Sequence, residues 1–111
     1  MANCAHLDEA RLALQKSPKP ILLPTPKNAL SIYGPQWFAA LDRKLAFEFP
    51  EIYLGIEIDA GDRADLAHEA LRLGLKHLIF SGHPHAASAL QDIARTLNAN
   101  IRILDLSRID P

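Results

Sequence analysis

IYLGIEIDAGDRADLAHEALRLGLKHLIF, residues 52–80, is the stretch that decides the fold. Aliphatic side chains stand at positions 52, 54, 56 and 58, and this alternation predicts a β-strand with one fully apolar face. Residues 62–73 carry leucine and alanine at helical spacing, with Asp62 as the expected N-cap, and Gly74 suits the left-handed position that closes a helix. An apolar run at 78–80 predicts a second strand. The stretch is therefore typical of a strand–helix–strand unit whose two strands run parallel.

The same alternation of helix and strand continues on both sides of this unit. Upstream, the spacing predicts a helix over 7–16, a short strand at 21–23 and a helix that begins at Pro35 and ends at Pro50. Downstream, a helical stripe after Pro84 leads to a strand over 101–106. One helix followed by four strands with three intervening helices indicates a four-stranded parallel sheet.

We expect an α/β domain built as a three-layer sandwich, half of a flavodoxin- or Rossmann-like fold with an extra N-terminal helix. The strands at 52–58 and 101–106 carry polar residues at alternate positions. Because central strands of a parallel sheet are covered on both faces, these two are expected at the edges. With strands numbered along the chain, this favours the order 2-1-3-4. A 3-2-1-4 order, or half of a β/α barrel completed by a partner, fits the same local patterns.

Size and composition limit the class of protein. The 111 residues fit one domain, 1–111, in which 1–6 and 107–111 are expected to be flexible. A formal net charge of −1 argues against a general nucleic-acid binder and against an anionic membrane surface as partner. The single cysteine, Cys4, excludes an internal disulfide. Because no secretory signal or membrane-spanning run is present, we expect a soluble protein located in the cytoplasm.

The carboxyl ends of the strands are the expected place for a ligand in an open parallel sheet. The segment Ser81-Gly82-His83-Pro84-His85 leads from a strand into a helix N-terminus, where amides and the helix dipole attract anions. It predicts a site for a small anionic ligand, with a contribution from the facing loop at 24–28. The expected ligand-binding residues are Thr25, Lys27, Asn28, Asp59, Ser81, Gly82, His83 and His85. In the alternative interpretation, these residues simply build a capped strand-to-helix turn.

His83 is also the candidate catalytic residue, as a general base suited to neutral pH. The pair His83 and His85 is typical of imidazole metal ligands, but two ligands are too few for a site, so no metal is predicted. The sequence lacks the glycine motifs of dinucleotide- and nucleoside-triphosphate-binding loops and names no cofactor.

Aromatic residues cluster in one part of the chain: six of the seven lie between positions 33 and 53. Such side chains are enriched in interface anchors, so we expect a homodimer that uses the helix after Pro35 and the strand at 52–58. The preferred function is a small binding or interaction protein. The alternative is a small enzyme with histidine-assisted or metal-assisted hydrolase or lyase chemistry, through His83, His85 and Asp59.

Overall fold

The computed structural model describes residues 4–104 of the chain. Its elements in chain order are α1 (Leu7–Lys16), β1 (Ile21–Pro24), α2 (Ala29–Tyr33), α3 (Pro35–Glu48), β2 (Tyr53–Asp59), α4 (Ala64–Arg72), β3 (His77–Phe80), α5 (Pro84–Thr96) and β4 (Asn100–Ile103). The short helix α2 was not predicted, because five residues carry too little periodicity to be recognised. The segments 1–3 and 105–111, which include the end of the predicted fourth strand, lie outside the described residues.

All four strands belong to one parallel sheet, as predicted, but their order is β1-β2-β3-β4. The preferred order 2-1-3-4 is therefore wrong, and so is the placement of β2 at an edge. Right-handed crossovers between strands that neighbour each other in sequence place all the connecting helices on one face of the sheet. In a sheet that helices cover on one side only, each strand is expected to alternate between apolar and polar residues. Alternation therefore does not distinguish a central strand from an edge strand.

The covered face of the sheet carries the hydrophobic core. Leu23, Ile56, Ile58, Leu78 and Phe80 point to this side and are at most 2% exposed. They pack with a common stripe from each helix, which comprises Ala10 and Leu14 of α1, Leu30 of α2, Phe38, Leu41 and Leu45 of α3, Ala67, Ala70 and Leu71 of α4, and Ala87, Leu90 and Ala94 of α5. The predicted stripes of α3 and α5 are thereby confirmed.

The opposite face of the sheet, called the open face below, is left uncovered within residues 4–104. Its members are Leu22 and Pro24 of β1, Gly55, Glu57 and Asp59 of β2, His77 and Ile79 of β3, and Asn100 and Arg102 of β4. Apart from Gly55, all of them are half-buried or exposed. A second helical layer is not found among the described residues, so the three-layer sandwich and the flavodoxin- or Rossmann-like half are not confirmed.

Helix α1 packs against α3 on the helical side of the molecule. The guanidinium of Arg11 donates to both carboxylate oxygens of Glu48, at 2.8 and 2.6 Å. The indole N–H of Trp37 donates to the carbonyl of Ala5 at 2.8 Å, next to Cys4, which is 1% exposed. Burial raises the pKa of the Cys4 thiol, so this cysteine is an unreactive part of the core.

The ends of α4 show one prediction confirmed and one wrong. Gly74 adopts φ +93° after the helix, in the left-handed conformation that was predicted. Asp62 was expected to cap the start, but Arg63 occupies the capping position and its side chain caps no amide. Arg63 instead pairs with Asp65 at 2.9 Å. Within residues 4–104, none of the helices combines the length and hydrophobicity needed to cross a bilayer.

Candidate functional site

Three of the predicted ligand-binding residues meet at the carboxyl edge of β1 and β2. The hydroxyl of Thr25 donates to the carbonyl of Glu57 at 3.0 Å and accepts from the N–H of Asp59 at 3.1 Å. The carboxylate oxygen Oδ1 of Asp59 accepts from the N–H groups of Asn28 and Gly61, at 3.2 and 2.8 Å. These bonds tie the β1 and β2 loops together, so Thr25 and Asp59 have a structural role at this edge.

A contact between Asn28 and Gly61 also holds the β1 and β2 loops together. Asn28 adopts φ +61° and Gly61 φ +58°, both in the left-handed region. A Cβ atom on Gly61 would lie 2.1 Å from Oδ1 of Asn28, so another residue here would displace this side chain and also adopt an unfavourable φ. The two loops are therefore closely packed at the edge where the sequence predicted a ligand site.

Ser81 and Gly82 join the same edge from β3. The N–H of Ser81 donates to the carbonyl of Gly61 at 2.8 Å. A Cβ atom on Gly82 would lie 2.5 Å from the ring of Phe80, so the absence of a side chain here makes room for a core aromatic residue. Gly82, one of the expected ligand-binding residues, thus has a role in packing of the core.

His83 caps helix α5. Its Nδ1 accepts from the N–H of His85 at 3.1 Å, and its backbone is extended, as at other helix N-caps. The two imidazole rings stack with centroids 5.3 Å apart, and both residues are exposed. This is the capped strand-to-helix turn of the alternative interpretation. It occupies one N–H group of the first turn, and Pro84 has none, so fewer donors face an anion than we expected.

The charged side chains at this edge do not favour an anionic ligand over a cationic one. Lys27 is exposed in the loop after β1 and Asp62 in the loop after β2, while the half-buried Asp59 accepts from the N–H of Asn28, next to Lys27 in the chain. Within residues 4–104, no group of three or more histidine, cysteine or carboxylate side chains is arranged to hold a metal ion. Within residues 4–104, the carboxyl edge thus brings the predicted residues to one side of the sheet without joining them around a metal.

The open face holds a charged pair that sequence reasoning missed. The guanidinium of Arg102 on β4 donates to Glu57 on β2, with Nη2–Oε1 at 3.0 Å and Nε–Oε2 at 3.4 Å. Strand β3 lies between these two strands, and Ile79 of β3 is paired in register with Arg102. The sequence did contain a signal for this pair: apolar and polar residues alternate along both strands, so one polar residue of each strand lies on the same face.

The aromatic residues between positions 33 and 53, which were predicted to form a dimer surface, are partly buried in the core. Tyr53 and Phe38 are buried, at 9% and 0% exposed, whereas Trp37 and Phe47 of α3 are 44% and 87% exposed. Strand β2 is central, so it offers no free edge to a second chain. The predicted dimer surface of helix and edge strand is therefore wrong in its strand component.

Comparison with known proteins finds one similar sequence. Over 85 residues the chain is 27% identical to the uncharacterized protein RP547 of Rickettsia prowazekii (strain Madrid E), an alignment that covers 77% of this chain and 80% of the relative. No protein-family model matches the chain, and no solved structure matches it. The similarity extends over most of both chains and brings no activity with it.

Proposed function

We propose that this protein is a small α/β interaction protein that works as a self-associated pair, in which the open faces of two copies pack against each other. The observation that carries the proposal is the uncovered face of an all-parallel sheet. Parallel sheets occur almost entirely with both faces covered, because their strands bury apolar residues on both sides. Here Ile79 lies at the middle of a face that no described helix covers.

Charge supports a second copy of the chain as the partner. Glu57 and Arg102 lie on the two strands that flank β3, one negative and one positive. A twofold axis that runs along β3 at Ile79 exchanges the two flanks, so each Glu57 faces the partner's Arg102. The open face is thus complementary to itself, as a twofold interface requires. The strands of the two sheets then run nearly aligned, as in other packed sheets.

The face supports this contact better than the edge of β1 does. Pro24 ends the outer strand β1 and has no N–H to offer to a further strand. Four strands at about 4.8 Å spacing and four residues at about 3.3 Å give a flat area of roughly 250 Å². Stable interfaces bury about 800 Å² on each partner, so we expect a weak, concentration-dependent pair.

The experiment measures mass by sedimentation equilibrium over a range of concentrations. The wild-type chain is expected to approach twice 12.3 kDa, the mass of one chain, as concentration rises. Ile79→Lys, which places a charge at the proposed axis, is expected to stay at 12.3 kDa. Leu22→Lys, on the exposed outer strand of the same face, is a second variant in case Ile79→Lys fails to fold. Leu12→Lys, on the outer side of α1 where Leu12 is 50% exposed, is the matched control and is expected to self-associate like the wild type. A wild-type chain that stays monomeric at millimolar concentration would exclude the proposal.

The small anionic ligand at residues 81–85 and the reaction assisted by His83 remain predictions from the sequence. The capping bond at His83 and the Asp59 carboxylate bonded beside Lys27 give neither of them added support. If a ligand is bound at the carboxyl edge, the tied loops of β1 and β2 form one rigid wall of its site.

A further inference from the structure

We infer that a cavity at the amino edge of the sheet, beside the Asp42–Tyr53 pair, binds a small molecule that carries a primary ammonium group. The cavity has a volume of about 210 Å³ and lies between α3 and the starts of β2 and β3. All of its walls come from one chain, so the inference does not depend on self-association.

Asp42 and Tyr53 supply hydrogen-bond acceptors to the wall of this cavity. The hydroxyl of Tyr53 donates to Oδ1 of Asp42 at 2.5 Å. Its oxygen lone pairs and the second carboxylate oxygen of Asp42 are then acceptors for a bound group. Burial and the neighbouring carboxylate raise the pKa of Tyr53, so the phenol keeps its proton and this arrangement persists. A cationic N–H donor is the natural complement of such a pair.

The one lysine in the wall is held by another group. Lys76 Nζ donates to the carbonyl of Leu97 at 2.7 Å, beyond the last turn of α5, where a cation is stabilised by the end of the helix. Lys76 keeps its charge but directs its ammonium to α5, so the carboxylate of Asp42 is the charged group of the wall with acceptor capacity for a ligand. An anion placed beside Asp42 would be repelled, so the site favours a cation.

Apolar walls complete the site. Leu54, Ile56 and Leu75 also line the cavity and supply aliphatic surface. The imidazole of His77 lies close to the backbone of Gly55, where a Cβ atom would be 2.7 Å from Cδ2 of the ring. These surfaces suit a short aliphatic chain, and the volume suits a molecule of roughly five to ten non-hydrogen atoms. The expected ligand class is a small alkylamine.

The test titrates the ¹⁵N-labelled full chain with three probes of similar shape: n-butylammonium, n-butanol and n-butyrate. We expect saturable shifts of the amide signals of Leu54, Gly55 and His77 with n-butylammonium, at least tenfold weaker binding of n-butanol, and no saturation with n-butyrate. Equal affinities for the three probes, or no saturation with n-butylammonium, would overturn the inference.

Three variants assign the binding to this cavity. Asp42→Asn is expected to weaken n-butylammonium binding at least fivefold, and Asp92→Asn, on the exposed side of α5, is expected to leave it unchanged. Ala46→Leu fills the cavity from α3 without removing a hydrogen-bonding group and is expected to abolish binding while the chain stays folded. Unchanged binding by both Asp42→Asn and Ala46→Leu would show that the cavity is not the site. If Asp42→Asn fails to fold, Ala46→Leu alone decides.

Discussion

Arg102 reaches across the middle of the sheet to Glu57, although 45 residues and one whole strand separate them. Their side chains are 59% and 23% exposed, so the pair stands in solvent on an uncovered sheet face. Exposed pairs of this kind contribute at most about 1 kcal/mol to folding. The pair therefore contributes little to the stability of one chain. Its position beside Ile79 is more relevant to the proposed contact with a second copy of the chain.

Replacing Asp59 by alanine is expected to destabilise the fold by about 1–3 kcal/mol, because it leaves two loop amides without their acceptor. The free energy of unfolding in urea measures this loss. Asp62→Ala is the matched control three residues further on: Asp62 is exposed and does not cap α4, so its removal is expected to change stability by less than about 0.5 kcal/mol. A larger loss at position 62 than at 59 would contradict the arrangement described here.

His83→Ala removes the acceptor for the N–H of His85 and is expected to cost about 0.5–2 kcal/mol of stability, whereas His83→Ser preserves a capping oxygen. His85→Ala keeps the backbone N–H that is capped and serves as the control. Thermal and urea unfolding of the three variants make the comparison. If His83→Ala and His85→Ala were equally stable, the cap would have no measurable role.

Glu48 predicts a pH dependence of stability. Hydrogen bonding from Arg11 is the main cause that holds the pKa of Glu48 below its ordinary value of 4.5. Because the pKa is lowered by folding, this stabilisation is present above pH 4.5 and is lost as the pH falls through the lower value of the folded state. Glu48→Gln is therefore expected to be less stable than the wild type at neutral pH, and the difference is expected to shrink on acidification below pH 4.5.

Unfolding free energies of the wild type and Glu48→Gln, measured in urea from pH 7 to pH 3, test this dependence. Glu51→Gln, at an exposed position just before β2, is the control and is expected to follow the wild type throughout. A difference between the wild type and Glu48→Gln that grows toward acid pH would contradict the assigned role of Arg11.

Local sequence patterns predicted most of the helices and strands correctly, but they gave the wrong order of the strands in the sheet. The apolar stripes of α3 and α5, the left-handed Gly74 and the four parallel strands follow from spacing over a few residues, and the structure confirms them. The strand order was wrong because alternation in β2 was interpreted as an edge. That interpretation assumed that helices cover both faces of the sheet, a property of the whole molecule that no local pattern contains.

The candidate site shows the same limit. Sequence reasoning brought Thr25, Asn28 and Asp59 to the correct edge, since all three follow parallel strands. It assigned them to a ligand because it had no means of seeing that they bond to each other across more than thirty residues. The Arg102–Glu57 pair was missed for the same reason: each residue looks like an ordinary polar position on an alternating strand.

Mixing two oppositely charged variants tests the proposed pair of open faces most directly. Glu57→Arg places an arginine on both sides of Ile79 and Arg102→Glu places a glutamate on both sides, and circular dichroism checks that both variants fold. Each variant alone is expected to stay at 12.3 kDa by sedimentation equilibrium, and an equimolar mixture is expected to approach twice that mass at the concentrations at which the wild type does. A mixture that stays monomeric while the wild type pairs, or single variants that pair as well as the wild type, would contradict packing through the open faces.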